Sequence, residues 1–358
     1  MDRRSTTSFS SLTLVVGSLL FACGTSPESR KGFDDPAGEA PADPSDPGAG
    51  DTPGSGGTTP NPSKPGCAQG SYTEALPTKA SLSGLTFSTA QANAYLLGAL
   101  GKRYPLGKEI VEGGLSSDLA QSQGNCIDRF LDDRSSAEAV LRQAPTIVHE
   151  CGHFFDLGEG SGSTSGYVVR PDLRFTCKMG DTTTRGGKTF ARSLLKTDAY
   201  YNKRKACGGQ VKQGCDFYAD VYLDGSASDA AFQSGDQGYN SVLEEANQYV
   251  NSLATALAFE ETYQGSKASE RDGILTFLWY IERYLKMARE EYPEAYALIS
   301  DDPCWRQATL SVWDRGWFYL DATKSSSNLG MDDAAITTLA KESSLTSEID
   351  ALRKLECQ

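Results

Sequence analysis

Residues 146–156 read Thr-Ile-Val-His-Glu-Cys-Gly-His-Phe-Phe-Asp and contain the pattern His-Glu-x-x-His. On a helix, residues four apart lie on one face about one turn apart, so His149 and His153 can offer imidazole nitrogens to a single metal ion. Glu150, between them, then lies where a general base would reach a water molecule. These are the only two histidines of the 358-residue chain. The stretch therefore predicts a buried helix that carries a zinc site.

The third ligand of such a site cannot be histidine, and zinc's preferences leave a carboxylate or a thiolate. Glu244 and Glu245 open a helix predicted over residues 241–259. Ser241 and Glu244 have capping-box spacing, which gives Glu244 a structural role, whereas Glu245 projects from a different face. Glu245 is therefore the expected third ligand. The candidates that stay open beside it are Glu244, Asp156, Asp220, Asp224 and Cys177.

Asp156 follows His153 by three residues and lies in the last turn of the predicted helix. A carboxylate is electrostatically disfavoured at a helix C-terminus. Either Asp156 orients a ligand histidine by accepting a hydrogen bond, or it is a solvated polar residue.

The same stretch resembles a known family of metal enzymes. Residues 149–156 are similar to the His-Glu-x-Gly-His-x-x-Asp segment of the anthrax lethal factor group, within the gluzincin-type zinc metallopeptidases. The resemblance implies a zincin-like domain in which an active-site helix lies beside a small sheet. It implies that Zn²⁺ is bound by His149, His153 and Glu245.

The resemblance also implies a reaction. Glu150 would be the general base in peptide-bond hydrolysis and would later protonate the leaving amine. In that family a tyrosine ahead of the ligand glutamate stabilises the oxyanion, and Tyr239, six residues before Glu245, lies near that place. A protein or peptide is then the expected substrate. The competing hypothesis is a non-catalytic surface binding module with a structural zinc, although such a site needs no base.

Residues 67–358 form the expected catalytic domain, and their apolar periodicity predicts a helix-rich α+β fold. Pro145 is expected to interrupt one helix, which Gly158 would end, and Pro171 separates two strands. The predicted helices span residues 88–100, 136–157, 241–259, 273–290, 304–319 and 347–355. The predicted strands span residues 167–169, 173–175 and 217–223.

Residues 1–22 have the form of an export signal. A positive start precedes an apolar run of 11 residues at positions 12–22, which is too short to span a bilayer. The segment Leu-Phe-Ala-Cys-Gly at 20–24 resembles a bacterial lipobox, which implies cleavage before Cys23 and acylation of its thiol. Gly24 at the second mature position then implies the outer membrane. An ordinary secretory signal with a chance cysteine would also fit this segment.

Residues 23–66 are expected to be a disordered linker behind that lipid anchor. Nine prolines and nine glycines fall within residues 24–66, and such a segment cannot bury enough surface to offset its ordering entropy. The membrane is expected to be a partner only through the lipid at Cys23.

Cysteine count and net charge bound the remaining possibilities. Eight cysteines remain besides Cys23, and an even number in an exported domain predicts up to four disulfides. Cys67 with Cys357, and Cys207 with Cys215, are candidate pairs. The formal net charge of −13 disfavours a nucleic-acid partner, because phosphate binding needs clustered positive charge.

Overall fold

The computed structural model describes residues 64–68, 70–161, 163–180, 191–209, 212–223 and 238–358. Over these residues the chain forms thirteen α-helices, four 3-10 helices and one two-stranded antiparallel sheet. The helix-rich α+β class expected from the sequence is confirmed. The predicted signal peptide, the lipidated cysteine and nearly all of the predicted linker lie outside the described residues.

Six α-helices precede the sheet in the described part of the chain. Ser136 caps the fifth, since its side chain accepts a hydrogen bond from the Ala139 amide at 3.1 Å. The predicted 136–157 helix is divided in two near Pro145, which has no N–H to continue a helix. Pro145 instead lies in the first turn of the second helix, where the missing N–H costs nothing. The predicted stop at Gly158 is wrong, as the helix continues to Glu159. The helices are α1 Ala92–Arg103, α2 Pro105–Ser116, α3 Asp118–Gln123, α4 Cys126–Phe130, α5 Ala137–Arg142 and α6 Ala144–Glu159.

The two strands predicted around Pro171 are confirmed as a hairpin of β1 (Thr164–Arg170) and β2 (Leu173–Lys178). The predicted strand at 217–223 is wrong. That segment contains a single helical turn, α7 (Ala219–Tyr222), because Asp216 Oδ1 accepts the Ala219 N–H at 3.1 Å and starts a turn.

The remaining helices form the second half of the core. Their order is α8 Tyr239–Ala258, α9 Glu270–Glu291, α10 Pro293–Ser300, α11 Pro303–Ala322, α12 Asp333–Ala340 and α13 Ser343–Glu356. α9 is buried around most of its circumference and packs against α8, α10, α12 and α13. The capping box expected at Ser241 and Glu244 is wrong, because α8 begins at Tyr239 after Gly238 and already includes Ser241.

Two glycines let α6 lie close to both of its main neighbours, α2 and α8. A Cβ on Gly152 would lie 1.9 Å from Gln248 Oε1 on α8, and one on Gly114 of α2 would lie 2.2 Å from the Cys151 carbonyl oxygen. The glycine of the His-Glu-x-Gly-His pattern thus sets the approach of α6 to α8.

All eight cysteines of the described residues are paired, which confirms the predicted disulfides, including the two candidate pairs. Such a set is typical of exported proteins in an oxidising compartment. No helix within the described ranges has the length and apolarity to cross a membrane. The disulfides are Cys67–Cys357, Cys126–Cys151, Cys177–Cys304 and Cys207–Cys215.

Candidate metal centre

The structure brings the three expected ligands together between α6 and α8. His149 and His153 lie one turn apart on α6, and Glu245 faces them from α8. Glu245 Oε2 is 3.4 Å from His149 Nε2 and 3.6 Å from His153 Nε2, and all three side chains are buried. Tetrahedral coordination with bonds of about 2.0–2.1 Å separates ligand atoms by about 3.3 Å. The two distances match that spacing, so the group could hold a metal ion.

Hydrogen bonds on the far side of each ring define which nitrogen faces the centre. His149 Nδ1 lies 3.1 Å from Ser252 Oγ, and the Ser252 hydroxyl itself donates to the Pro145 carbonyl, so its oxygen accepts from the imidazole. His153 Nδ1 lies 3.0 Å from Glu244 Oε1, and a carboxylate can only accept. Both Nδ1 atoms therefore carry the proton. Each Nε2 is left facing Glu245, where its lone pair is available to a metal ion.

The electrostatics of the three groups favour a bound cation. Burial lowers the pKa of His149, which disfavours an imidazolium there. Burial opposes ionisation of Glu245, but the charge of a protonated His153 and hydrogen bonds from the two imidazoles outweigh it and hold the pKa of that carboxyl below its usual range. When a metal ion takes the place of the shared protons, the two Nε2 atoms and the carboxylate face it as acceptors. This donor set is one that zinc binds in proteins.

Of the two expected catalytic residues, Glu150 is next to a ligand on α6, whereas Tyr239 points away from the centre. Glu150 follows His149 on α6 and is 1% exposed. Tyr239 is in the core, where its hydroxyl pairs with Thr309 Oγ1 at 2.9 Å. Six residues along a helix are about 9 Å and 240° apart, so Tyr239 and Glu245 face different directions. This corrects the expected position of Tyr239.

Three residues that the sequence did not single out contact the ligands. Tyr222, on α7, donates its hydroxyl to Glu245 Oε2 at 3.2 Å and is 2% exposed. Tyr249 packs edge-on against the His149 ring, with centroids 4.8 Å apart. Tyr249 and Ser252 follow Glu245 by four and seven residues, so helical periodicity could have found both. Tyr222 was missed because its segment was interpreted as a strand.

Asp156 joins three elements through hydrogen bonds from backbone and side-chain amides. It accepts the Val168 amide at 2.6 Å, Asn247 Nδ2 at 3.1 Å and Gln248 Nε2 at 2.7 Å. Burial raises the pKa of Asp156 well above its usual range. The residue is neither solvated nor a ligand. It ties α6 to β1 and to α8.

The remaining candidate ligands have different partners. Glu244 accepts from His153, and Cys177 is in a disulfide with Cys304. Asp220 accepts the amides of Gly208 and Gly209 at 3.0 and 3.1 Å. Asp224 lies outside the described residues.

Comparisons with protein-family models, with curated proteins and with solved structures find no match for this chain. Its function is therefore inferred from the residues of the centre.

Proposed function

We propose that this chain is a gluzincin-type zinc metallopeptidase that hydrolyses peptide bonds. The observation that carries the proposal is the convergence of His149 Nε2, His153 Nε2 and Glu245 Oε2 in a buried centre on the helix that also carries Glu150. A site kept only for structure has no need of a carboxylic base beside it. A zincin-like domain is part of the proposal, supported by an active-site helix packed against a ligand-bearing helix and a small sheet.

The side chains divide the chemistry among them. Bound zinc would supply Lewis acidity and lower the pKa of water towards neutrality. The two histidines and Glu245 would hold it, while Ser252 and Glu244 keep the rings oriented by accepting their Nδ1 protons. Glu150 would accept a proton from the attacking water as its oxygen bonds to the peptide carbonyl carbon. It would then deliver that proton to the amine nitrogen when the C–N bond breaks.

The location and substrate belong to the same proposal. Four disulfides support an exported protein. The lipobox-like segment supports a lipid anchor at Cys23, behind which the domain would act on proteins or peptides at the outer membrane or cell surface. The net charge of −13 disfavours binding to the phosphates of a nucleic acid, so no nucleic-acid partner is part of the proposal.

The test measures zinc and hydrolysis in the same samples of the oxidised full chain. We expect about one zinc per chain, lost in His149→Ala. Glu150→Gln should keep the zinc and lose about 10²–10⁴-fold in the rate of peptide hydrolysis. Glu159→Gln, on the same helix but paired with Arg174, is the matched control and should keep both. Unchanged hydrolysis in Glu150→Gln would refute the mechanism.

A second candidate is the non-catalytic surface module with a structural zinc. One observation favours it: the Tyr222 hydroxyl is close enough to Glu245 to supply a fourth protein group, and sites closed by four protein ligands are structural. Stoichiometric zinc without hydrolysis of any peptide in a diverse library would select this candidate.

A further inference from the structure

We propose that Tyr222 occupies the fourth position around the metal in the substrate-free protein as a phenolate, its hydroxyl proton released to solvent, and that it takes up a proton again and is displaced when a substrate carbonyl or an inhibitor enters. This inference rests on the metal centre proposed above. It adds a side chain that neither the ligand motif nor the resemblance includes.

The geometry around one oxygen atom carries the inference. Three atoms surround Glu245 Oε2: His149 Nε2 at 3.4 Å, His153 Nε2 at 3.6 Å and Tyr222 Oη at 3.2 Å. The edge of a tetrahedron with zinc at its centre is about 3.3 Å. The phenol therefore lies as close to the Glu245 oxygen as the two imidazoles do, which is one of the edges that a fourth ligand would have.

The position of the phenol is built by contacts on both sides of α7. Asp216 and Asp220 anchor this turn, the first by accepting the Ala219 amide and the second by accepting two amides of the disulfide-closed loop at 207–215. The Tyr222 ring packs edge-on against Phe277 of α9, with centroids 4.8 Å apart. These contacts direct the hydroxyl at the centre and leave the ring 2% exposed.

The three other vertices are held more firmly than this one. The histidines lie within a helix of 16 residues and Glu245 within a helix of 20 residues, whereas α7 has four. A single helical turn has fewer backbone hydrogen bonds to break than a helix of four or five turns, so it opens locally at lower cost. Tyr222 is therefore the group that can leave, and its departure would free a position for a carbonyl oxygen.

Copper provides the test, because Cu²⁺ accepts the same nitrogen and oxygen ligands and reports coordination of a phenolate by a charge-transfer absorption in the visible range. We expect the Cu²⁺-loaded full chain to show this band and Tyr222→Phe to lose it while binding the same amount of copper. Tyr239→Phe is the matched control and should keep the band, because its hydroxyl contacts Thr309. Acetohydroxamate, which binds metals through two oxygens, should bleach the band in the unsubstituted protein.

The outcomes separate this inference from the proposed function. Stoichiometric copper without the band, or a band that Tyr222→Phe leaves unchanged, would overturn it. A band that acetohydroxamate leaves in place would overturn the displacement and indicate a closed site. Failure of the metal centre itself would appear differently, as copper uptake equal to that of His149→Ala. If Tyr222→Phe does not fold, resonance Raman excitation of the band in the unsubstituted protein must still show phenol ring vibrations.

Discussion

Single side chains on α8 set the direction of both imidazoles, through hydrogen bonds of 3.1 Å from His149 to Ser252 and 3.0 Å from His153 to Glu244. Loss of such a partner lets the ring rotate and lowers its basicity. We expect Ser252→Ala and Glu244→Ala each to weaken zinc binding by about 10–100-fold, measured by competition with a chelator. Glu159→Ala should leave the affinity unchanged. Full affinity in both variants would show that the rings need no such support.

Glu282 on α9 is a buried carboxyl that lowers the stability of the fold. Its side chain is fully buried, and neither carboxyl oxygen has a hydrogen-bond partner among the described residues. Burial, with smaller contributions from the charges of Glu342, Asp350 and Glu348, raises the pKa of Glu282 to about 10. The folded protein thus binds a proton that the unfolded chain releases above about pH 4.5, which costs stability as the pH rises towards 10.

Removing that ionisable carboxyl should stabilise the protein in a pH-dependent way. We expect Glu282→Gln to raise the free energy of unfolding by about 3 kcal/mol at pH 7 and by little at pH 4, since each pKa unit corresponds to about 1.4 kcal/mol. Urea unfolding across pH 4–8 measures the difference. Glu290→Gln, on the exposed face of the same helix, is the control and should show no such increase with pH. An equal increase in the free energy of unfolding at pH 4 and at pH 8 would contradict the explanation that Glu282 is a buried, protonated acid.

At the scale of elements, apolar periodicity predicted the long helices but not the short ones. α8, α9 and α11 have 20 or more residues, and their apolar stripes outweigh local ambiguity. α7 has four residues, and an apolar run of that length suits a strand equally well. The apolar run at 217–223 was therefore predicted as the wrong element, and Tyr222 was missed for that reason.

The residues of the candidate site were likewise predicted where the signal is local and missed where it depends on contacts between elements. The motif itself placed His149 and His153 on one helix, because their spacing is local. Glu245 was selected through a capping box that does not form, and the structure gives Glu244 a tertiary role as the partner of His153. The contact between Tyr222 and Glu245 joins two elements, and no local pattern encodes which faces of two elements meet.

The close approach of α2 to α6 provides a prediction about helix packing. A Cβ at Gly114 would lie 2.2 Å from the carbonyl oxygen of Cys151, and backbone cannot move aside as a flexible side chain can. We expect Gly114→Ala to lower the free energy of unfolding by about 1–3 kcal/mol, the usual cost of overpacking. Thermal unfolding measures the change.

Gly101 of α1 is the matched control, because a Cβ there meets only Lys108 Cδ, at 3.3 Å. Gly101→Ala should stabilise by up to about 1 kcal/mol through helix propensity. If both substitutions stabilise the protein, the α2–α6 contact is looser than the structure shows.

Across the whole molecule, buried polar groups connect the N-terminal segment to the metal centre. Arg315 of α11 pairs with Glu74 at 2.9 Å and donates to Asn251 at 2.7 Å. Asn251 donates to Gln248, which donates to Asp156 at the end of α6. Each donor in this path has a buried acceptor, so the segment that precedes α1 is part of the core that supports the site.

The Cys67–Cys357 disulfide joins the two ends of the folded chain across 290 residues, whereas Cys207–Cys215 spans eight. A disulfide stabilises mainly by restricting the unfolded chain, and the entropy model gives about 5–6 kcal/mol for the long loop and about 2.5 kcal/mol for the short one. We therefore expect the Cys67→Ala/Cys357→Ala double variant to lose about twice as much unfolding free energy as Cys207→Ala/Cys215→Ala, measured by urea unfolding. The amides of Gly208 and Gly209 in the short loop also bind Asp220 of α7. We therefore expect the Cys207→Ala/Cys215→Ala variant to weaken the copper charge-transfer band of Tyr222 and the Cys67→Ala/Cys357→Ala variant to retain it. Equal losses of stability would mean that strain or residual structure, rather than loop length, decides the contribution of these disulfides.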